Sequence, residues 1–444
     1  MGIDLSDRYE YSKESGAHMY LKTVQLTNVR GFTDLRFDLT RPDGSYAGWT
    51  VFTGDNGSGK SSLLKAIAVA LTGKETARAL QPSFHRWVRE GSIEGKIELT
   101  VVPEKGLDVF SAGGNTSYKP FLATVILRSS ERDTSLDVVE SQRTAARRGL
   151  WSAGAQGWFS CGYGPFRRVF GASSEAMRLM VGASTERFVT MFQEAASLAE
   201  VDQWLRNLNH KKLEKKPTET EHLELLIEIL RDELMPNQIT VDRVDSDGLW
   251  LKDRNGLQLA WNDMSDGYRS ALALLTDILR HLINAYGIEG LTERGTDGKL
   301  RIVKGGVVMI DEIDAHLHPE WQREIGFWLK NHFPKIQFLV TTHSPIICQA
   351  ADENGLFVLP EPGGQDRPRA LTSAEYKKVI ASRPDTILLT PAFGLQNTRS
   401  PRAVEGRAEY AKLMAKQRAG AALTRDEQSR ARQLQLFADT DEEL

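Results

Sequence analysis

The sequence predicts an α/β fold built on a parallel sheet with helices on both faces. Three observations carry this reading. An unbroken G-x-x-x-x-G-K-[ST] pattern, Gly54-Asp55-Asn56-Gly57-Ser58-Gly59-Lys60-Ser61, separates an apolar strand from an Ala-rich helix. The runs Val307-Val308-Met309-Ile310 and Gln337-Phe338-Leu339-Val340 are continuous rather than alternating, as strands buried on both faces are. A helical stretch, Pro319 to Lys330, lies between them, and strand–helix–strand order implies parallel pairing.

The remaining elements follow in chain order. Residues 1–18 read as a flexible polar leader. Residues 19–170 form a first lobe. It opens with strands at Leu21–Leu26 and Leu35–Leu39 around Arg30-Gly31-Phe32, then a strand at Trp49–Phe52 and a helix from Ser61 to Leu71. Further strands are expected at Lys96–Val102, Phe121–Leu127 and Trp158–Cys161, an antiparallel lobe beside the main sheet. Residues 171–236 read as a helical lid. Phe188, Met191, Phe192, Ala195 and Leu198 make one apolar stripe, and Leu223, Leu225, Leu226, Ile229 and Leu230 a second, with His210–Lys216 as a charged connector. Residues 237–395 form a second lobe. It has strands at 239–241, 248–251 and 257–260, a helix over Gly267–Tyr286, and the two buried strands. Residues 396–444 form a charged, Ala-rich helical tail, with Thr424-Arg425-Asp426-Glu427 as a capping box.

Composition narrows the function classes. The chain has 444 residues, 41% of them hydrophobic, which is enough for a core and about three domains' worth of chain. Lys and Arg total 56 against 59 Asp and Glu, so no global positive field drives it onto nucleic acid. Two cysteines, Cys161 and Cys348, exclude a disulfide scaffold and CxxC-type zinc sites. No apolar run approaches the ~20 residues of a membrane span, and Met1–Tyr20 is too polar for a secretory signal. A soluble cytoplasmic protein without a membrane partner is expected.

Four segments carry chemistry. In the glycine-rich loop, backbone N–H groups turn inward around phosphate oxygens and the following helix adds its dipole. Lys60 would bind β- and γ-phosphates, the Ser61 hydroxyl would ligate Mg²⁺, and Ser62 would extend the nucleotide-binding stretch. Asp311 and Glu312 end a buried strand, where a phosphate loop needs a metal-binding acid and a group that polarises water. Ser265, in Ser265-Asp266-Gly267, stands at the N-cap of a helix and makes a second anion-binding end. His343 follows the second buried strand, on the edge of a parallel sheet where ligands bind.

In this order the four segments resemble the Walker A, signature, Walker B and switch-histidine motifs of ABC-type ATPases. The resemblance is to the branch that holds the SMC, RecF and overcoming-lysogenization-defect (OLD) proteins. Leu26-Thr27-Asn28-Val29-Arg30-Gly31-Phe32 is similar to that branch's first hairpin, and Asp314-Ala315-His316-Leu317-His318-Pro319 to its D-loop. Gly162-Tyr163-Gly164-Pro165-Phe166-Arg167 and Pro391-Ala392-Phe393-Gly394-Leu395 resemble elements of stand-alone ATPases of prokaryotic antiphage systems, such as the Septu ATPase. The resemblance implies an ABC-type P-loop head that binds ATP and Mg²⁺ and pairs head to tail. Asp311 is then the Walker B acid, Glu312 the catalytic glutamate and His343 the γ-phosphate sensor. Ser265, Asp266 and Gly267 contact nucleotide held by another subunit. Ser-Asp-Gly-Tyr here replaces the transporter-like Ser-Gly-Gly-Gln. The Q-loop has two candidates, Gln81 and the 156–168 segment.

Lesser features weigh less. His316 and His318 with Asp314 lack a third strong ligand nearby in sequence, so a D-loop explains them better than zinc. Arg143, Arg147, Arg148, Arg167, Arg168 and the Lys211-Lys212…Lys215-Lys216 run could meet DNA or RNA backbone, although Glu214 and Glu219 dilute the run. A long coiled-coil insertion is excluded by the shortness of the helical interval. A fused nuclease of the OLD type finds no matching acidic pattern. The expectation is an ATP-driven switch for a separate effector, a nuclease or toxin, in antiphage defence. A RecF-like DNA-repair clamp is the alternative.

Overall fold

The computed structural model describes residues 19–111, 118–130, 133–138, 145–152, 155–167, 183–194, 196, 198, 200–232, 235, 238–361 and 367–438. The expected leader, Arg143 and Arg168 lie outside these. Strands β1 (Tyr20–Val29), β2 (Phe32–Asp38) and β3 (Gly48–Thr53) lead to helix α1 (Lys60–Leu80). Strands β4 (Glu94–Val102), β5 (Phe121–Ser129) and β6 (Thr134–Val138), a turn α2 (Ala145–Arg148) and β7 (Ser160–Tyr163) follow. Next come the turns α3 (Ala183–Glu186) and α4 (Val189–Phe192), then the hairpin of α5 (Glu200–Leu213) and α6 (Pro217–Arg231). Strands β8 (Thr240–Asp245), β9 (Gly248–Lys252) and β10 (Gln258–Ala260) precede α7 (Asp266–Tyr286). The small hairpin β11 (Thr292–Arg294) and β12 (Leu300–Ile302) leads to β13 (Gly306–Ile310), α8 (Pro319–His332), β14 (Ile336–Thr341) and α9 (Pro345–Cys348). Strands β15 (Leu356–Val358) and β16 (Arg369–Ala370), then α10 (Ser373–Ala381), close the first of two compact units, which runs through Ser382.

Two large sheets carry this unit, beside the smaller β10-β9-β8 sheet and the β11–β12 hairpin. The main sheet has the order β16-β15-β3-β14-β13-β7 and is parallel except for its β16 edge. Residues of β13 and β14 are buried along their whole length, which is why those runs do not alternate. The second sheet, β2-β1-β4-β5-β6, is antiparallel. In β4 buried residues alternate with partly exposed ones, so that only one face meets the core. That core includes Ile97, Leu99 and Val125 of the antiparallel sheet, Met309 and Leu339 of the main sheet, and Leu63 to Leu71 of α1. With both sheets in its core, α1 needs apolar residues around most of its circumference. The sheets are also tied by Gln337 of β14, fully buried, which accepts from Leu21 N–H at 2.8 Å and donates to Leu21 O at 2.9 Å.

Three expectations are corrected. The first helix runs past Leu71 to Leu80, across a kink at Gly73 (φ 75°). The kink frees the Ala70 carbonyl, and the Trp151 indole N–H takes it at 2.8 Å. The charged connector at 210–216 shrinks, because α5 continues to Leu213, and Lys211 and Lys212 pair with Glu219 and Glu224 at 2.9 and 3.0 Å. The stripe at 188–198 is not one helix. Phe188 and Met191 instead lie against Gly162 of β7, where an added Cβ would meet both at 2.9 Å.

The second unit, Arg383–Leu444, has a short helix α11 (Pro384–Leu388) and two longer ones, α12 (Pro401–Arg418) and α13 (Arg425–Ala438). The capping box is present: Thr424 N–H donates to the Glu427 carboxylate at 2.8 Å, and Glu427 N–H to the Thr424 hydroxyl at 3.2 Å. Arg430 and Glu409 join the two long helices at 2.8 Å.

Candidate active site

The glycine-rich loop follows β3 and closes where α1 begins at Lys60. Gly54 has φ 147° and Gly59 φ 96°, and each is hemmed in. A Cβ on Gly54 would lie 2.4 Å from Leu359 O, and one on Gly59 would lie 2.7 Å from the Phe32 ring. Both positions therefore need glycine for conformation and for space. Lys60 arches back over the loop. Its ammonium donates to Gly54 O at 2.8 Å and Asp55 O at 2.9 Å, and lies 3.5 Å from Ser58 Oγ. Burial lowers its pKa, while Asp311, Glu312, Asp55 and Asp314 act to raise it.

Asp311 and Glu312 stand at the C-terminal end of β13, and β14 lies between β13 and β3. Thr341, at the end of β14, links the two acids. Glu312 N–H donates to its hydroxyl at 2.7 Å, and the hydroxyl donates to Asp311 Oδ1 at 2.5 Å. Asp311 is 1% exposed, whereas Glu312 is half-buried. Glu312 also has φ 46°, a left-handed conformation that costs a long side chain about 1–3 kcal/mol. Thr342 donates to Asp314 at 2.5 Å, and Gln322 of α8 donates to Leu317 O at 2.8 Å, so the D-loop stretch is held at both ends. His318 caps α8, its Nδ1 accepting from Glu320 N–H at 3.4 Å, and His316 is exposed.

A cleft of about 1200 Å³ opens beside the loop. Gly57, Ser58, Gly59 and Ser62 line it, together with the β1–β2 turn at Arg30–Phe32 and the basic segment His85–Arg89. Arg30 lies over the Trp87 ring at 4.8 Å, and Arg89 donates to Gly31 O at 2.6 Å. Asp34, Glu90 and Glu361 line it as well, so its charge is mixed, and Lys60, Ser61, Asp311 and Glu312 are not part of its lining.

The other predicted residues lie elsewhere on the unit. Ser265 is the N-cap of α7, exposed, and its side chain makes no capping bond. Asp266 is exposed and pairs with Arg269. A Cβ on Gly267 would lie 2.2 Å from His316 O, so the start of α7 rests on the D-loop backbone. None of the three lines the cleft. His343 is exposed just past β14. Gln81, at the far end of the 21-residue α1, donates to Ser83 O at 2.8 Å. The 156–168 segment runs through β7, which pairs with β13 next to the acids.

Arg167 corrects the sequence reading. It is not a surface cation for nucleic acid but is 4% exposed, behind Asp311 and Glu312. Sequence reasoning also passed over Thr341 and Thr342. Their signal, two adjacent hydroxyls closing a buried strand, is common at strand ends and does not single them out.

Two family models match, one described as "AAA domain" over residues 23–235 and one as "AAA domain, putative AbiEii toxin, Type IV TA system" over 184–349. The Septu protein PtuA of Bacillus mycoides (strain KBAB4) is 26% identical over 89% of this chain, and the PtuA of Bacillus thuringiensis is 22% identical over 89% of both chains. The fold is α/β, with a mostly parallel main sheet beside an antiparallel one, and the chain resembles the Septu proteins PtuA. The chain spans 48% of the length of the first PtuA. A third relative, "Retron Ec83 probable ATPase" of Escherichia coli, is 40% identical over 24% of this chain and 18% of its own. No helix among the described residues is long and apolar enough to cross a membrane.

Proposed function

We propose that this chain is an ATP-hydrolysing switch subunit. Two copies close head to tail around ATP and Mg²⁺ and control a separate effector, a nuclease or toxin, in prokaryotic antiphage defence. One observation carries the reading most. The Glu312–Thr341–Asp311 hydrogen-bonded line ends at the same sheet edge as the loop that bears Lys60. The resemblance to the Septu ATPases supports the defence role.

The donor set fits a hard divalent cation. Asp311 is a buried carboxylate with one oxygen engaged by Thr341, and the Ser61 hydroxyl opens the helix beside Lys60. These two residues would hold Mg²⁺, which when bound offsets phosphate charge. Lys60 exchanges its loop carbonyls for β- and γ-phosphate oxygens. Glu312 accepts a proton from water as the water oxygen attacks the γ-phosphorus. The bond to the bridging oxygen breaks, and ADP and phosphate leave. His343 contacts the γ-phosphate. Ser265, Asp266 and Gly267 act on nucleotide in the second copy, a role that suits an N-cap hydroxyl with no helix partner.

Three variants test this. Lys60→Ala should abolish ATP binding, and Glu312→Gln should bind ATP without turning it over. Ser265→Arg should bind nucleotide as a monomer without hydrolysis. ATPase activity at the wild-type level in Ser265→Arg would exclude the head-to-tail pair. Native mass spectrometry after co-expression with the neighbouring genes tests the effector. Salt-sensitive DNA binding that needs ATP, with no effector captured, would favour a RecF-like clamp.

A further inference from the structure

The Gly162–Arg167 segment has no part in the reaction described so far, yet it ends in a buried cation. Arg167 follows β7 by four residues. Its guanidinium donates to Asp311 O at 2.6 Å, to Glu312 O at 3.0 Å and to Ile313 O at 3.5 Å, and back to Gly164 O at 3.1 Å. Three of these acceptors are consecutive carbonyls, beginning at the first residue past β13. The planar fork of arginine can serve several acceptors at once, and lysine cannot reproduce it.

The clamp falls on a strained residue. Glu312 holds φ 46°, a conformation that persists only where its surroundings enforce it. Two peptide groups flank the Glu312 side chain, and both are engaged. Its N–H donates to Thr341 at 2.7 Å, and its C=O accepts from Arg167 at 3.0 Å and from Ala315 N–H at 2.9 Å. On the carbonyl side Ala315 N–H and the Ile313 N–H bond to Thr341 O at 3.1 Å are backbone contacts, and Arg167 adds the side-chain donor, whose loss would loosen this peptide and the Glu312 carboxylate with it.

We propose that Arg167 is a positioning residue for hydrolysis: it holds the Glu312 backbone in its left-handed conformation, so that the carboxylate faces the attacking water. Burial pulls the Arg167 pKa down to about 10, with Asp311, Asp314 and Glu312 opposing, so it remains a cation at neutral pH.

The inference rests on Glu312 as the group that activates water, and the test separates the two. Arg167→Ala and Glu312→Gln are each measured in the full chain. For Arg167→Ala, kcat should fall about 30- to 100-fold, the scale of a misplaced catalytic group. The dissociation constant for a fluorescent ATP analogue should stay within about threefold, because ground-state binding does not pass through Glu312. Free guanidinium at millimolar concentration should restore part of the lost kcat. Hydrolysis at the wild-type rate in Glu312→Gln would overturn the assignment of Glu312, and this inference with it. With Glu312→Gln inactive, an unchanged kcat in Arg167→Ala would overturn the role of Arg167 alone. So would a kcat loss matched by an equal loss of ATP affinity. If Arg167→Ala does not fold, Arg167→Lys decides. It should show about a tenfold lower kcat with affinity retained, and a wild-type kcat would overturn the proposal.

Discussion

Gly267 is a glycine for a reason that lies within one chain. A Cβ there would sit 2.2 Å from His316 O, closer than any real contact. The start of α7 and the D-loop backbone therefore touch directly, and a displacement of one is passed to the other. This adds to the contact with a second copy's nucleotide proposed for Gly267 above. Gly267→Ala must push α7 and the D-loop apart. Overpacking of this kind should cost about 1–3 kcal/mol in urea unfolding. ATP hydrolysis should be lost, while ATP affinity at the Lys60 loop should remain, because Gly267 rests on the D-loop backbone and not on the glycine-rich loop. Unchanged hydrolysis and stability would show that the loop yields without consequence.

At the scale of elements, buried polar contacts hold the helices in place. Asp277 lies in the middle of α7, 3% exposed. It accepts from the Tyr163 hydroxyl of β7 at 3.0 Å and from Arg280 Nε at 2.9 Å, and its carboxylate lies 3.2 Å from His281. Arg280 reaches on to Glu186 of α3 at 2.7 Å. Burial pushes the Asp277 carboxyl up, but His281, Arg280 and Tyr163 outweigh it and hold the carboxyl well below the usual range. A carboxyl lowered on folding stabilises the fold above its unfolded pKa, and this contribution fades as acid protonates it. Asp277→Asn should therefore cost about 2–3 kcal/mol at neutral pH. Its deficit against the wild type should shrink below about pH 4; a deficit independent of pH would assign the loss to packing. Helix α1 depends on one indole in the same way. Trp151→Phe keeps a ring beside Gly73 but leaves Ala70 O unpaired, and should cost about 1–3 kcal/mol in the same unfolding assay.

At the scale of the whole molecule, the first unit is one continuous construction from distant parts of the chain. Its main sheet places β3 and β7 of the first lobe beside β13, β14 and β15 of the second, and its core runs from Met19 to Leu359. The Arg383–Leu444 unit instead makes its own internal contacts, among them the Arg430–Glu409 pair. Removal of residues 383–444 should leave a head that unfolds cooperatively and binds ATP as before. The mass of the ATP-bound assembly, or the amount of effector it captures, should fall. Light scattering with and without ATP, and pull-down of the co-expressed effector, measure these. An equal mass and equal capture would leave assembly to the head alone.

Local physics made much of this legible in the sequence. The glycine-rich loop between β3 and α1 could be read because its glycines are needed at fixed positions for conformation and space. The strands β13 and β14 could be read because burial on both faces removes alternation. The Thr424–Glu427 box could be read because capping depends on residues only a few positions apart. Tertiary structure alone decided what depends on contacts across the chain. Arg167 looked like a surface cation, since nothing nearby in sequence indicates that its partners lie 144 to 146 residues away. The two hydroxyls after β14 meet the acids only because β13 and β14 are neighbours in the sheet. Helix α1 outlasts its glycine because Trp151, 81 residues from Ala70, supplies the missing donor. A motif is legible when its physics is local, and a clamp only once the fold has brought its two sides together.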